Sequence, residues 1–567
     1  MTHPLVPKLT VSGYGGKTAL ADAIAGVILA ILLVPQAMAY AQLAGLPAQA
    51  GLYATLVPPV LYLLFGTSPF VSVGPVALIS LVVAEASGSA DVEPIQAAAI
   101  IAIEAGLVLA MLGALRLGRL INFISEPVLL GFTAAAAILI FMSQLPTLVG
   151  TDPDRAGNLI DAASAFWQVM PEIRPATAAI GTGALALLFL IDWLAAPALW
   201  KIGVRPPWRQ AIAKSLPLLV IIGCAVAAGM VESEVPRVEA PPGAIPSVTL
   251  PPLDPAVWLQ LAPSALAIAV VIFATAIAVA KSLAGEDRSE FDTSREAVAL
   301  GLGNIAAPLT GGYAVGASLS RSALVEDSGG KTPLAHVVGA ALVLAVILFV
   351  APLLAYLPKA ALAALVISAV FGLVKTRAMT SVWRHDRWEG VLIGVAFVAT
   401  LALGVTLGLA VGALAGLAHY LWFSSLPRVT RIGTDDGGHS YRSVDRDDVR
   451  LSTLPVLIVR VDRSLFFANA AYVEDEIFNR LGEHDEAECL VLDMRAVNTV
   501  DASGLAMFQR LSERLHREGI ALHFAEVHEP VRKALGRLDS RKCAFHRTIN
   551  DAMGACGTPQ DQTIAPT

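Results

Sequence analysis

Up to residue 426 the chain is a succession of apolar runs, and those runs decide its solvent. A helix needs about 20 apolar residues to cross the hydrocarbon of a bilayer. Runs of that order lie near 20–41, 50–66, 95–114, 121–143, 176–196, 213–231, 259–283, 295–309, 334–355, 359–375, 388–404 and 405–424. Of the 567 residues 56% are hydrophobic and 15% charged, whereas soluble domains sit near roughly a quarter charged. From about Arg428 onward the charged residues crowd together. The pattern predicts a polytopic α-helical membrane protein with one large membrane domain and one soluble C-terminal domain.

Two further apolar stretches are too short to span: Gly74 to Ala84, "GPVALISLVVA", and Ala317 to Val325, "ASLSRSALV". Stretches of about 10–14 residues suggest re-entrant or broken helices. Counting both gives fourteen segments, seven on each side of a proline- and acid-rich break at 232–258 that reads as an exposed linker. With the N-terminus inside, the inner loops hold fourteen Lys and Arg and the outer loops four. That asymmetry predicts both termini in the cytoplasm. The expected boundaries are a cytoplasmic N-terminus over 1–19, a membrane domain over 20–426, a soluble domain over 440–555 and a disordered tail over 556–567. The first repeat would cover about 20–231 and the second about 259–424.

Other classes are set aside by composition. Net charge is −7 without a basic run, so nucleic-acid binding has no electrostatic support. No basic segment leads directly into a short apolar core at the N-terminus, so no cleaved signal peptide is expected. Cys224, Cys489, Cys543 and Cys556 show no metal-like spacing. Three of them lie in the soluble part, which suggests reduced thiols in a cytoplasmic setting.

The two short stretches resemble each other. "TSPFVSVGPVALISL" and "TGGYAVGASLSRSAL" share a threonine, an aromatic residue, Val-Gly and a short apolar helix. Each holds the third place in its half. Short, Gly- or Pro-interrupted segments in matching positions point to a transporter binding site. Seven segments per half make the second half inverted. Two helices starting mid-membrane from opposite sides would aim their N–H groups and positive dipole ends at one point, which makes an anion site. Pro75 suits a first helical turn, and Gly74 and Gly316 permit close approach of the backbone to ligand. Ser318 and Ser320 offer hydroxyl donors, and Arg321 adds a full positive charge. The plainer readings of Arg321 are snorkelling or an ion pair with Glu326 or Asp327.

At this point the sequence resembles a known family. "LLVPQAMAYAQLAGLPAQAGLYATLVPPVLYLLFGTSPFVSVGPVAL" and "GASLSRSALVEDSGGKTPLA" are similar to the two signature regions of the SulP anion transporters, which include sulfate permeases, bicarbonate transporters and prestin. The resemblance is collinear over 20–424. It implies a seven-plus-seven inverted repeat divided into core and gate domains, homodimers, and an elevator-like movement. By motif, Gln36 and Tyr40 match site-lining positions of the first segment. Val76, beside Ala77, matches a third-segment position, and Leu319, Ser320 and Arg321 match the tenth-segment start. Gln36 has a plainer use, bonding the backbone opened by Pro35, and Tyr40 could be a packing aromatic.

One departure concerns coupling. Where relatives carry an acid in the eighth segment, "ALAIAVVIFATA" places Thr275. A neutral oxygen weakens the case for sodium and for proton coupling there. Glu85 and Glu104 are further intramembrane acids, and Glu104 is the candidate for proton coupling. A protonated carboxyl bonded to a neighbouring helix is its plainer reading. Asp22 reads as an interfacial or capping residue.

In the tail, "VLIVRV", "CLVLDMR" and "IALHFAEV" read as strands, alternating with amphipathic helices. "VNTVDASGLAMF" resembles the STAS domain signature. The resemblance implies a small α/β domain with a regulatory, trafficking or dimer-stabilising role. It makes Ser503 a regulatory phosphorylation candidate, with helix N-capping as the alternative.

These readings favour a secondary transporter for a small anion, with sulfate ahead of bicarbonate, chloride and C4-dicarboxylates. Its expected partners are the anion, membrane lipid and a second copy, with a regulatory partner for the tail. No cofactor is expected, and a proton is a better coupling ion than sodium. A STAS-regulated channel or signalling protein is a second class. A nucleobase or weak-acid permease is a third, disfavoured by Thr275, Arg321 and the tail. No nucleophile–base pair or metal cluster at membrane depth supports an enzyme.

Overall fold

The computed structural model describes residues 14–88, 90, 92–118, 125–151, 157–204, 208–231, 235–239, 250–283, 292–434, 439–444, 455–484 and 486–557. The expectations for 1–13, for most of the linker and for 558–567 lie outside these residues. The chain divides into two compact units, Met1–Gly416 and Leu417–Thr567.

The first unit begins with α1 (Gly16–Leu43), α2 (Ala48–Tyr53), α3 (Pro58–Phe65), β1 (Val73–Gly74), α4 (Ala77–Ser87) and α5 (Pro94–Ala114). Then come α6 (Glu126–Val149), α7 (Leu159–Val169), α8 (Pro175–Lys201), α9 (Trp208–Met230) and α10 (Pro255–Leu283). The next elements are α11 (Thr293–Leu309), β2 (Gly316–Ala317), α12 (Leu319–Asp327), α13 (Leu334–Phe349) and α14 (Ala351–Leu354). The last are α15 (Lys359–Phe371), α16 (Thr376–His385) and α17 (Arg387–Leu403), and the boundary between the units falls within α18 (Val405–Ser425). Among the described residues, nine helical stretches are long and apolar enough to cross a membrane, with α2 and α3 counted together and likewise α15 and α16. Within the described residues the helices fall on the apolar runs of the sequence.

Several boundaries in the first unit differ from expectation. Helix α1 starts at Gly16, inside the segment assigned to the N-terminus. The linker is shorter than 232–258, because α10 begins at Pro255. Asp254 accepts the N–H of Ala256 at 2.9 Å, and an acid followed by proline is a helix start. The short helices begin later than the apolar stretches, at Ala77 and Leu319. Pro75 therefore precedes the first turn of α4 instead of filling it.

Small residues set the closest helix packing. A Cβ on Gly106 of α5 would stand 2.6 Å from the Gly301 carbonyl oxygen, and one on Gly301 of α11 2.5 Å from the Ala110 nitrogen. Without a hydrophobic effect between helices in lipid, such backbone contact supplies the packing energy.

The second unit holds β3 (Val429–Gly433), β4 (Arg442–Ser443), β5 (Val456–Val461), α19 (Ala470–Gly482), β6 (Cys489–Asp493) and α20 (Ala502–Glu518). It ends with β7 (Ala521–Ala525), α21 (Glu529–Leu535), β8 (Ala544–His546) and α22 (Ile549–Cys556). The sheet order is β4-β3-β5-β6-β7-β8. Strands β5 to β8 are parallel, and β3 is antiparallel to both its neighbours. The expected limits of 440 and 555 are corrected, since β3 pairs with Val459–Val461 and α22 runs to Cys556. A Thr548–Asp551 capping box starts α22.

The cysteines also depart from expectation. Cys489 and Cys556 are joined by a disulfide with Cα atoms 5.9 Å apart, while Cys224 and Cys543 are free and buried. Beside the pair, burial and then the neighbouring His546 ring push the His523 imidazole down to about 4. It is therefore neutral at pH 7 and needs no counter-charge in the apolar layer.

Candidate anion-binding site

The approaches to the two short helices meet. Strands β1 and β2 pair antiparallel, with Gly74 opposite Gly316 and Val73 opposite Ala317. The two Val-Gly pairs matched in sequence thus bring their glycines together in space. Because the strands run in opposite directions, α4 and α12 leave opposite ends of this bridge. Their N-terminal, positive ends both face it. Helix α4 starts from Val76 in extended conformation, and this cap residue makes no side-chain hydrogen bond to the first turn. Helix α12 starts from Ser318, whose hydroxyl accepts the Arg321 N–H at 3.5 Å.

Arg321 completes the bridge from inside. It is fully buried. Nη1 donates to the Pro75 carbonyl oxygen at 2.8 Å and to Gln36 Oε1 at 3.3 Å, and Nε donates to Ser72 Oγ at 3.4 Å. The buried Nη2 has no partner among the described residues. Among the described residues no carboxylate lies within ion-pair distance of Arg321, so Glu326 and Asp327 do not take the role considered for them. A buried charge without a counter-ion is costly. Here it stands beside two helix N-termini of the same sign, so the site carries uncompensated positive potential.

The predicted residues divide by what they touch. Gln36 connects α1 to the bridge: its Nε2 donates to the Tyr40 hydroxyl at 2.9 Å while its Oε1 accepts from Arg321. That is a different use from bonding the carbonyl opened by Pro35. Gly74 leaves space at the free Nη2, since a Cβ there would stand 3.3 Å from it. Gly316 makes its close approach to protein, because its Cβ would stand 2.4 Å from Ile79 Cδ1. Val76 and Ala77 form the start of α4. Leu319 and Ser320 are exposed, and Ser320 Oγ lies 3.2 Å from Ser318 Oγ. Thr275 donates to the carbonyls of Val271 and Ile272 in its own helix. Its hydroxyl proton is thereby taken.

Two candidates lie apart from the bridge. Glu104 lines an open groove of about 490 Å³ with Leu253, Pro255, Trp258, Leu259 and Ala262. Among the described residues its buried Oε2 has no partner, so no bond to a described neighbouring helix runs through that atom. Ser503 is exposed in the first turn of α20, and the cap is Asp501, which accepts the Gly504 N–H at 2.9 Å. The capping alternative for Ser503 is thereby corrected. An acceptor with a full charge suits a helix N-terminus better than a hydroxyl.

Two carboxylates fasten the loop that leads into β1 and the loop that leaves α12. Glu296 of α11 is fully buried. It accepts from Tyr62 OH at 2.7 Å, Thr67 N at 2.8 Å, Thr67 Oγ1 at 2.5 Å and Ser68 N at 3.2 Å. This holds the loop leading into β1. Asp22 of α1 accepts from Lys331 N at 2.7 Å, Thr332 N at 3.1 Å and Thr332 Oγ1 at 2.5 Å. This holds the loop leaving α12; Asp22 lies inside α1 and its partners precede Pro333, the cap of α13, so its use is loop anchoring and not helix capping. Asn304 bonds both backbone groups of Val315, just before β2. Glu296 escaped the sequence reading. Its signal was an acid inside the apolar run 295–309, masked by the adjoining Arg295. Glu85, the other intramembrane acid, accepts the Val405 N–H at 2.8 Å.

A family model described as the sulfate permease family matches residues 20–396. The chain belongs to this family. A second model, the STAS domain, matches residues 449–552. Among curated relatives, the chloroplastic sulfate transporter 4.1 of Arabidopsis thaliana is 31% identical over 555 residues, 94% of this chain and 80% of the relative. High affinity sulfate transporter 2 of Stylosanthes hamata is 30% identical over 535 residues, 90% of this chain and 79% of the relative. The fold is shared with murine Solute Carrier 26 family member A9, an anion transporter solved in the inward-facing state, at 20% identity. The TM-score is 0.88 over 96% of this chain and 93% of that one. The transmembrane domain of the cyanobacterial bicarbonate transporter BicA gives a TM-score of 0.60 at 20% identity, over 71% of this chain and 98% of that one. The bridge, Arg321 and both carboxylate clamps fall inside the sulfate permease match, and Ser503 falls inside the STAS match.

Proposed function

We propose that this protein is a secondary active transporter that moves a small anion, sulfate first, across a cytoplasmic membrane. The observation that carries the reading is the β1–β2 bridge: two helix N-termini converge on a buried arginine that lacks a carboxylate partner. Such a site attracts an anion from either side of the membrane without needing a cofactor. In this conformation Arg321 supplies charge from behind the bridge, while the first turns of α4 and α12 supply backbone donors. Among the described residues the Tyr40 hydroxyl proton meets no acceptor, so it is a further donor.

Sulfate leads because the curated relatives are named for it; bicarbonate, chloride and C4-dicarboxylates satisfy the same donors. In this reading the fourteen segments form two inverted repeats of seven, divided into core and gate. The bridge rides with the core in an elevator-like exchange of access, by symport or exchange, within a homodimer. Both termini face the cytoplasm. The protein acts as a carrier and carries out no enzymatic reaction. Glu104, mid-helix with a free carboxylate oxygen, is the proposed proton carrier, and Thr275 leaves sodium without a charged ligand. The STAS domain serves regulation, with Ser503 presented for phosphorylation at a helix N-terminus, where added negative charge is stabilised.

Uptake of a panel of labelled anions into proteoliposomes, at varied pH and sodium, tests this reading. Saturable sulfate uptake stimulated by internal sulfate supports it. Absence of uptake for every anion overturns it, and non-saturating flux at channel rates would replace the carrier with a pore.

A further inference from the structure

The C-terminal unit carries a cluster that anion transport does not use. Cys489 lies on β6, His523 on β7, His546 on β8 and Cys556 at the end of α22. Strand register explains why they converge. His523 pairs with Val491 on one side and Ala544 on the other. Residues two apart on a strand share a face, so Cys489, His523 and His546 project from one face of three neighbouring strands. Helix α22 packs on that face through Ile549 and Ala552, in a layer with Val456, Ile458 and Val491. Its last residue delivers Cys556. Both sulfurs and a ring nitrogen of His523 lie within 4.8 Å of one another.

The His523 ring is held in a particular way. Its Nδ1 lies 2.7 Å from His546 Nε2. Its Nε2 is buried with no partner among the described residues, and the residue is 3% exposed. An unpartnered polar atom in an apolar layer needs a reason. A histidine that ligates a metal has one nitrogen tied by a hydrogen bond and the other left free.

We propose that, once its disulfide is reduced, this domain binds a zinc-class divalent cation through Cys489 Sγ, Cys556 Sγ and His523 Nε2, with His546 positioning the ring. Two thiolates and an imidazole form a soft donor set that suits zinc and not magnesium or calcium. A water completes the tetrahedron. Sulfurs at about 2.3 Å from the metal stand roughly 3.8 Å apart, and Cα atoms 5.9 Å apart accommodate that by side-chain rotation.

The chemistry balances with a dithiol as reductant. The dithiol gives up two electrons and two protons and becomes a disulfide. The Cys489–Cys556 bond breaks, and each sulfur takes one electron and one proton. The cation then displaces both thiol protons to solvent. In either state a clip joins β6 to the end of α22, covalent when oxidised and coordinate when reduced. This site does not depend on the transport reading.

The test uses full-length protein in detergent, reduced anaerobically with a phosphine, freed of metal and titrated with Co²⁺. The expected result is a thiolate-to-cobalt charge-transfer absorption that saturates near about one Co²⁺ per chain and is abolished by Zn²⁺. Unreduced protein and Cys556→Ser should lack it, and Cys543→Ser should keep it. His546→Gln should weaken Co²⁺ binding about tenfold or more. Cys556 lies at a half-buried helix end, so its serine variant tests ligation without disturbing the sheet. No charge-transfer band in the reduced wild type, or an unchanged band in Cys556→Ser, overturns the proposal.

Discussion

Arg321 Nη1 donates to the Pro75 carbonyl oxygen at 2.8 Å, across 246 residues of sequence. The contact ties the start of α12 to the residue leading into α4. It also leaves Nη2 as the free end of the guanidinium, beside a residue without a side chain.

Gly74 should therefore be sensitive to one methyl group. A Cβ there stands 3.3 Å from Nη2, in space an acceptor oxygen would use. Gly74→Ala is expected to weaken sulfate binding about tenfold, or ~1.4 kcal/mol, with an unchanged melting temperature. Gly316→Ala should do the reverse. Its methyl would meet Ile79 Cδ1 at 2.4 Å, a side-chain end that can shift, so overpacking at the low end, about 1 kcal/mol, would appear in stability. Isothermal titration with parallel thermal melts distinguishes the two.

Glu296 should be a stability residue first. Glu296→Ala leaves the Tyr62 hydroxyl, the Thr67 N–H and hydroxyl and the Ser68 N–H without their acceptor. The Tyr62 hydroxyl and the Ser68 N–H are buried, and each stranded buried donor costs about 1–3 kcal/mol. A large drop in melting temperature is expected, with faster amide exchange at Thr67 and Ser68. Unchanged exchange there would mean that the loop is held by other contacts.

The α5–α11 contact should tolerate no added volume. Gly301→Val drives a side chain into the Ala110 nitrogen, 2.5 Å from the ideal Cβ. Backbone atoms cannot yield as a side chain end can. Loss of folded protein after extraction, or a melting temperature lower by several degrees, is expected on size-exclusion and thermal analysis. A fully stable Gly301→Val would contradict the close packing of these helices.

Much of this was legible in the sequence, and the exceptions share a cause. Apolar length located the helices, because the bilayer sets that length. The match of "SVGPVALISL" to "AVGASLSRSAL" located the bridge, since it rests on local pattern. Glu296 and Asp22 were not legible as clamps. Their partners lie 228 or more residues away in sequence, and nothing local announces a long-range polar contact. The disulfide was hidden for the same reason, with its cysteines 67 residues apart. Ser503 lost the cap to Asp501 two residues earlier, a choice made by strand-to-helix geometry and not by residue type alone.

Glu104 can be separated from the site by coupling. If it carries the proton, Glu104→Gln should abolish stimulation of uptake by an inward proton gradient while sulfate binding at equilibrium stays within about twofold, ~0.4 kcal/mol. Gradient-driven uptake compared with binding reads this directly. Intact stimulation in the variant would remove Glu104 from the mechanism.

The account rests most heavily on Arg321 as the charge behind an anion site. Equilibrium sulfate binding to wild-type protein, Arg321→Lys and Arg321→Ala, each confirmed folded by its melting curve, tests that claim. The account predicts loss of at least tenfold in affinity for Arg321→Ala, about 1.4 kcal/mol, with partial retention in Arg321→Lys. Unchanged affinity in a folded Arg321→Ala would contradict it and would make the arginine a structural tie alone.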